Sequence, residues 1–136
     1  MKLSTKGRYS IRMLVDLTIN GTNGSVFLKD IARRQDISEK YLGHLVPLLK
    51  NAKLINTVRG SRGGFSLAKP PEEITLKDII TAVEGPVTLV DPSAELKSGE
   101  FWGRATDAIL NALDSFTLKS IAEERKEFLE DNTYVI

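Results

Sequence analysis

Cysteine is absent from the 136 residues, and histidine and tryptophan occur once each. Without a thiol the chain can form no disulfide, offer no thiolate nucleophile and hold no cysteine-bound metal cluster. Long apolar runs are also missing. The opening MKLSTKGRYSIRMLVDLTIN is broken by Arg12 and Asp16, and no later run approaches the ~20 apolar residues that span a bilayer. A cytoplasmic protein without membrane attachment is expected. One histidine leaves only carboxylate or serine chemistry, and no glycine-rich nucleophile turn or paired-acid motif stands out. No enzyme is therefore expected, and no catalytic, cofactor or metal residue is assigned.

An excess of one charge sign is lacking as well, since the formal net charge is +1. The average hides a split. Residues 1–70 hold 13 Lys/Arg against 4 Asp/Glu, a net +9, whereas residues 71–136 hold 6 against 14, a net −8. Such asymmetry suggests a basic half that meets a polyanion and an acidic half with another task, although two independently solvated surfaces would give the same counts.

The basic half centres on SEKYLGHLVPLLKNAKLINTVRGSRGGFSL, residues 38–67. Ser38 is a good helix N-cap, and Glu39 puts a negative charge at the positive end of the helix dipole. Leu42, Leu45, Val46 and Leu49 recur at spacings of three and four, which leaves Lys40, Gly43, His44 and Lys50 on a polar, partly cationic face. Pro47 removes one N–H and crowds the Gly43 carbonyl, so a kink is expected between them. His44 reads equally as a DNA contact or as an ordinary surface histidine; a metal role lacks neighbouring soft ligands.

Lys53–Val58 and Phe65–Leu67 read as two short strands around RGSRGG, a hairpin with charge at its tip. The glycines alone would make a turn. Arg59 and Arg62 beside Gly60, Ser61 and Gly63 also suit a guanidinium entering a narrow minor groove. The amphipathic helix, the basic tip and the glycines coincide as a nucleic-acid reader requires.

Before this unit, Lys6–Asn20 is helical in pattern, with Ile11, Leu14, Val15 and Thr18 sharing a face. Lys6, Arg8 and Arg12 oppose the helix dipole at its start, which calls for an external anion; a DNA phosphate is one candidate. A second helix, Leu28–Gln35, turns Leu28, Ile31 and Ala32 inward and is expected to turn Arg33 and Arg34 outward, with Lys29 among the DNA contacts. Its short link to Ser38 suits an angled helix-turn-helix pair whose second helix lies in the major groove.

After Lys69-Pro70-Pro71, Thr75 caps a helix whose Leu76, Ile79, Ile80 and Val83 form an apolar face. From Glu100 to Leu118 the helical period returns, with Trp102, Ala105, Ile109, Ala112, Leu113 and Phe116 in one stripe. That stripe needs a cover, either the chain's own core or a second copy, and the small alanines would admit another helix closely. Ser120–Ile136 reads as a final turn or two and an acidic tail ending Tyr134-Val135-Ile136. The tail either packs back on its own dimer or is presented to a partner.

Five segments, MKLSTKGRY, ISEKYLGHLVPLLKNAKLI, VRGSRGGFSLAKP, ITLKDIITAVEGP and the Trp102 helix ending FTLKSI, resemble the Rrf2 family of winged-helix regulators along nearly the whole chain. The resemblance implies a homodimeric transcription factor on a partly palindromic operator, with the wing Arg-Gly in the minor groove and the long helix exchanged across the dimer. Many members hold an iron–sulfur cluster on three cysteines before the long helix. Here that loop reads LVDPSAELKSGEFW and has none. The nearest relation is therefore the cluster-free branch of cysteine-metabolism repressors; the alternative is a cluster-type regulator whose ligands were lost or engineered out. By the same resemblance, cysteine synthase is a candidate partner that would capture the terminal isoleucine carboxylate.

The expected fold is mainly α (α+β): a winged helix-turn-helix at 1–72, a connecting helix and loop at 73–99, and a dimerisation helix with acidic tail at 100–136. Double-stranded DNA is the expected ligand, read by Lys6, Arg8, Lys29, Ser38, Lys40, Tyr41, Gly43 and His44 with the wing residues 59–63. An RNA-binding or protein-binding adaptor on the same fold is the rival; the deep, narrow major groove of duplex RNA excludes a helix.

Overall fold

A computed structural model describes residues 3–22, 24–58, 64–87, 89 and 99–133. Ser4 starts the first helix, α1 (Thr5–Asn20), by accepting a hydrogen bond from the Gly7 N–H at 3.1 Å. Met13, Leu14 and Leu17 of α1 are buried, and this helix is the axis around which the core gathers. Two further helices, α2 (Leu28–Gln35) and α3 (Glu39–Asn51), pack on α1 through Ile31, Leu42, Leu45 and Leu49. Full burial of each such side chain contributes about 1.5–3 kcal/mol.

The expected apolar stripe of α3 is the buried one, and the helix continues through Pro47 to Asn51. Pro47 and Gly43 are both exposed, so water can satisfy the Gly43 carbonyl that the proline leaves without a donor. Strands β1 (Ile55–Val58) and β2 (Gly64–Leu67) pair antiparallel from Ile55 opposite Leu67 to Val58 opposite Gly64. Val26 adds a bridge to this sheet, exchanging hydrogen bonds with Phe65 at 2.9 and 2.8 Å. That bridge brings the backbones close. A Cβ at Gly64 would lie 2.9 Å from the Ser25 side chain, so only glycine fits there without displacing it.

Helix α4 (Leu76–Glu84) begins in a capping box. Thr75 Oγ1 accepts from the Asp78 N–H at 3.2 Å, while the Asp78 carboxylate accepts from the Thr75 N–H at 3.0 Å. Its Ile79, Ile80 and Val83 are buried, as the apolar spacing predicts.

The C-terminal region departs from expectation. The Trp102 helix, α5 (Gly99–Asp114), stops before Phe116, and α6 (Leu118–Thr133) follows as a second helix of 16 residues in place of a turn or two. Thr117 and Ser120 bond reciprocally, at 3.1 Å to the Ser120 N–H and 3.3 Å from the Thr117 N–H, and so start a new helix. The break is also held from outside: the Phe116 carbonyl accepts from the Leu76 N–H at 2.8 Å, and the Leu118 N–H donates to the Ile74 carbonyl at 2.7 Å. Leu118 and Ala122 then enter the core beside α1. Tyr134–Ile136, the end of the expected tail, lies outside the described residues.

Candidate nucleic-acid interface

Three buried leucines fix which face of α3 meets solvent. Opposite them stand Lys40, Gly43 and His44, all exposed, with Ser38 exposed at the cap and Tyr41 half-buried beside them. Ser38 Oγ accepts from the Tyr41 N–H at 3.0 Å, so one of the orphan donors of the first turn is satisfied and the helix start is fixed. No atom lies within 4 Å of a Cβ built on Gly43. The backbone there is open to a close approach from outside, within a surface that carries cationic side chains.

Lys29 is exposed in the first turn of α2, and Lys6 and Arg8 are exposed at the start of α1. Arg8 donates to Thr5 Oγ1 at 3.3 Å. The external anion expected at this helix end has an internal counterpart, because Ser4 Oγ donates to the Glu84 carboxylate of α4. An acidic side chain from the chain's own fold therefore faces the positive end of the α1 dipole. Arg59, Gly60, Ser61, Arg62 and Gly63 lie outside the described residues; the paired strand ends at Val58 and Gly64 bracket them.

Arg33 and Arg34 are both exposed, as expected, but Arg34 is not free. Its guanidinium donates to both carboxylate oxygens of Asp16, at 3.0 and 2.8 Å, and Asp16 is 1% exposed inside α1. Gln35 Nε2 donates a third hydrogen bond to that carboxylate at 3.0 Å. Desolvating a carboxylate is costly unless it is paired and hydrogen-bonded, and this geometry supplies both. The hydrogen bond to Asp16 raises the Arg34 pKa. Asp16 interrupts the apolar face of α1 with a lone acid, which is the signal in the sequence that a partner for a buried carboxylate had to exist. A cleft of about 670 Å³ opens beside this pair between α1, α2 and α6, lined also by Ile11, Ile19 and Ile121. Its carboxylate is already tied to Arg34 and Gln35, so the cleft presents no free acid or base for catalysis.

Helix α5 has a different character. Trp102, Ala105, Ile109 and Leu113 are only half-buried, and Ala112 and Phe116 are exposed, Phe116 in the turn beyond the helix end. No residue of this apolar stripe reaches the core within one copy of the chain.

A winged helix-turn-helix that leaves Lys40, Gly43 and His44 exposed on α3 is thus present, and comparison with known proteins gives the same fold. The family model described as an iron-dependent transcriptional regulator, Rrf2, matches residues 3–124. The chain belongs to the Rrf2 family. Among Rrf2 relatives, the transcriptional regulator CymR of Bacillus subtilis is 41% identical over 124 residues, 90% of either chain. The regulator IscR of Cereibacter sphaeroides is 43% identical over 107 residues, 77% of this chain and 69% of its own. The solved structure of CymR, titled the global cysteine regulator of B. subtilis, superposes with a TM-score of 0.79 at 39% identity, covering 91% of this chain and 98% of that one. These named relatives are regulators of transcription and not enzymes.

The Rrf2 description as iron-dependent raises the question of a metal. Iron–sulfur clusters are held mainly by cysteine thiolates. This chain has no cysteine, and among the described residues no group of three His, Cys, Asp or Glu converges. The residues present do not fit a thiolate-held cluster. Among the described residues no helix is long and apolar enough to cross a membrane.

Proposed function

We propose that this Rrf2 regulator is a cytoplasmic, homodimeric repressor that binds a partly palindromic operator and controls genes of cysteine or sulfur metabolism. The observation that carries the reading is the face of α3, where Lys40, Gly43 and His44 are exposed because Leu42, Leu45 and Leu49 hold the opposite side in the core. In this reading α3 lies in the major groove, with Lys40 and His44 at base edges and Gly43 allowing close approach. Ser38, Tyr41, Lys29, Lys6 and Arg8 meet the phosphates, and residues 59–63 enter the minor groove.

Residues 1–72 act as the reading unit, 73–99 as the connector, and 100–136 as the dimerisation and tail region. The stripe Trp102, Ala105, Ile109, Ala112, Leu113 and Phe116 is the dimer contact, supported by its incomplete burial within one copy. Pairing two readers about one helical turn apart is what a palindromic site demands. The sulfur pathway is inferred from the name of the solved relative, the global cysteine regulator. Cysteine synthase is then the partner, and its occupancy would be the signal.

Genomic fragments bound by the purified protein, followed by footprinting, test this reading. Two protected half-sites one turn apart, upstream of sulfur-metabolism genes, are expected. A single protected half-site would remove the dimer, and duplex RNA competing as well as DNA at matched salt would remove the operator reading altogether.

A further inference from the structure

Two residues of α1, Tyr9 and Arg12, between them touch both helices of the helix-turn-helix. Arg12 Nη2 donates to the carbonyl of Gln35, the last residue of α2, and Arg12 Nε donates to Gln35 Oε1 at 3.3 Å. A cation on a C-terminal carbonyl satisfies an acceptor that the helix end leaves open and complements the helix dipole. The same guanidinium lies 5.5 Å from the centroid of the Tyr9 ring. Tyr9 in turn meets Tyr41, in the first turn of α3, edge to face with centroids 5.3 Å apart and planes at 80°. The chain of contacts therefore runs from the end of α2, through α1, to the start of the recognition helix.

We propose that Arg12 and Tyr9 form a clamp that sets the angle between α2 and α3, and so act as positioning residues for operator specificity. The inference rests on the reading of α3 as the major-groove helix. Between Gln35 and Glu39 the chain has only three residues, and Asp36 adopts a left-handed conformation at φ 53°. Ile31, Ile37 and Leu42 hold this turn from the core side. Apolar contacts of that kind are non-directional and set distance better than angle. The clamp grips the opposite, solvent side, where Arg12 is exposed and Tyr9 and Tyr41 are half-buried. Its contacts are directional. A guanidinium over a ring face and a T-shaped ring pair each have a preferred geometry. Lys40 adjoins Tyr41, so a rotation of the first turn of α3 moves a proposed base-reading side chain directly. The Arg12 guanidinium is exposed and the two rings are half-buried against the core, whereas the carboxylate of the Asp16–Arg34 pair alongside is enclosed.

The test uses the full chain and a duplex selected by the wild-type protein from a random pool, with a scrambled duplex of equal length, in fluorescence anisotropy across a salt series. Arg12→Ala and Tyr9→Leu are expected to lose about tenfold in affinity for the selected duplex, the scale of one misplaced base contact. Affinity for the scrambled duplex and the slope against salt should stay as in wild type. Tyr9→Phe, which keeps the ring, should restore specificity, whereas Arg12→Lys should not, because an ammonium lacks the planar fork. Unchanged affinity for the selected duplex would overturn the clamp. So would equal losses on both duplexes with the salt slope lowered by about one, which would make Arg12 a phosphate contact. Failure of the underlying reading shows separately: Lys40→Ala would then leave specificity intact.

Discussion

The carboxylate of Asp16, 1% exposed within α1, accepts hydrogen bonds from Nε and Nη2 of Arg34 at 3.0 and 2.8 Å, which locks the first helix of the helix-turn-helix to the core. The Arg34 side chain remains 32% exposed while that of Asp16 is fully enclosed, so removing either partner has unequal consequences.

Arg34→Met strands a buried carboxylate and should destabilise the fold by about 3–5 kcal/mol, less where the acid takes up a proton. Asp16→Leu leaves an arginine that can swing to water and should cost less. Urea denaturation of both single variants and the double variant measures this; additive effects would show that the pair is not coupled. The raised pKa of Arg34 places loss of its contribution only above its ordinary alkaline range. A group whose folded pKa is raised keeps its stabilisation at every pH below the unfolded value. Arg34 should therefore impart no pH dependence between about pH 6 and 9.

Gly43→Ala should separate folding from DNA binding. Nothing lies within 4 Å of the added methyl, so the helix gains about 1 kcal/mol of stability from the better helix former. Operator affinity should fall by about 1–2 kcal/mol, because the methyl stands between backbone and base edges. A parallel rise in melting temperature and affinity would take Gly43 out of the interface.

Ile109→Glu places a charge in the half-buried stripe of α5. Buried at a dimer contact, the carboxylate costs several kcal/mol unless it neutralises or relaxes to solvent. Sedimentation should show a monomer with operator binding largely lost; an intact dimer would mean that α5 is covered in another way.

Arg62→Ala tests the wing from the sequence alone. Minor-groove insertion predicts weaker binding and a flattened preference for A·T-rich flanks. A phosphate contact would instead weaken all sequences alike and reduce the salt slope by about one.

Iron analysis is the last check. Purified protein should be colourless, and its DNA affinity should not differ between anaerobic and aerated buffer, since no thiolate is available to a cluster. Stoichiometric iron would overturn this expectation.

Local patterns carried much of the architecture. The Ser38 and Thr75 caps, the three-four spacing of Leu42, Leu45 and Leu49, and the two strands around the glycine tip are short-range signals that neighbouring residues complete. The Asp16–Arg34 pair spans 18 positions, and from the sequence Arg34 reads as a surface cation; it stays exposed, and only the packing of α2 on α1 brings its guanidinium onto the buried Asp16 carboxylate. The same holds at the C-terminal end. A continuous apolar period runs through Phe116 to Leu118, yet the backbone of 116–118 bonds to Leu76 and Ile74, 40 and 44 positions away, and breaks the helix there.

The Arg12, Tyr9 and Tyr41 contacts belong to the same class, since nothing in the spacing of 9, 12 and 41 brings them together. The sequence by itself determined helices α1 to α4 and the two wing strands, which of their faces are apolar, and that thiolate chemistry is impossible, because propensity, periodicity and composition are properties of neighbouring or counted residues. Tertiary structure alone decided which charges are buried, where α5 ends, and which side chains link α1 to the recognition helix, because those outcomes depend on contacts between residues far apart in the chain.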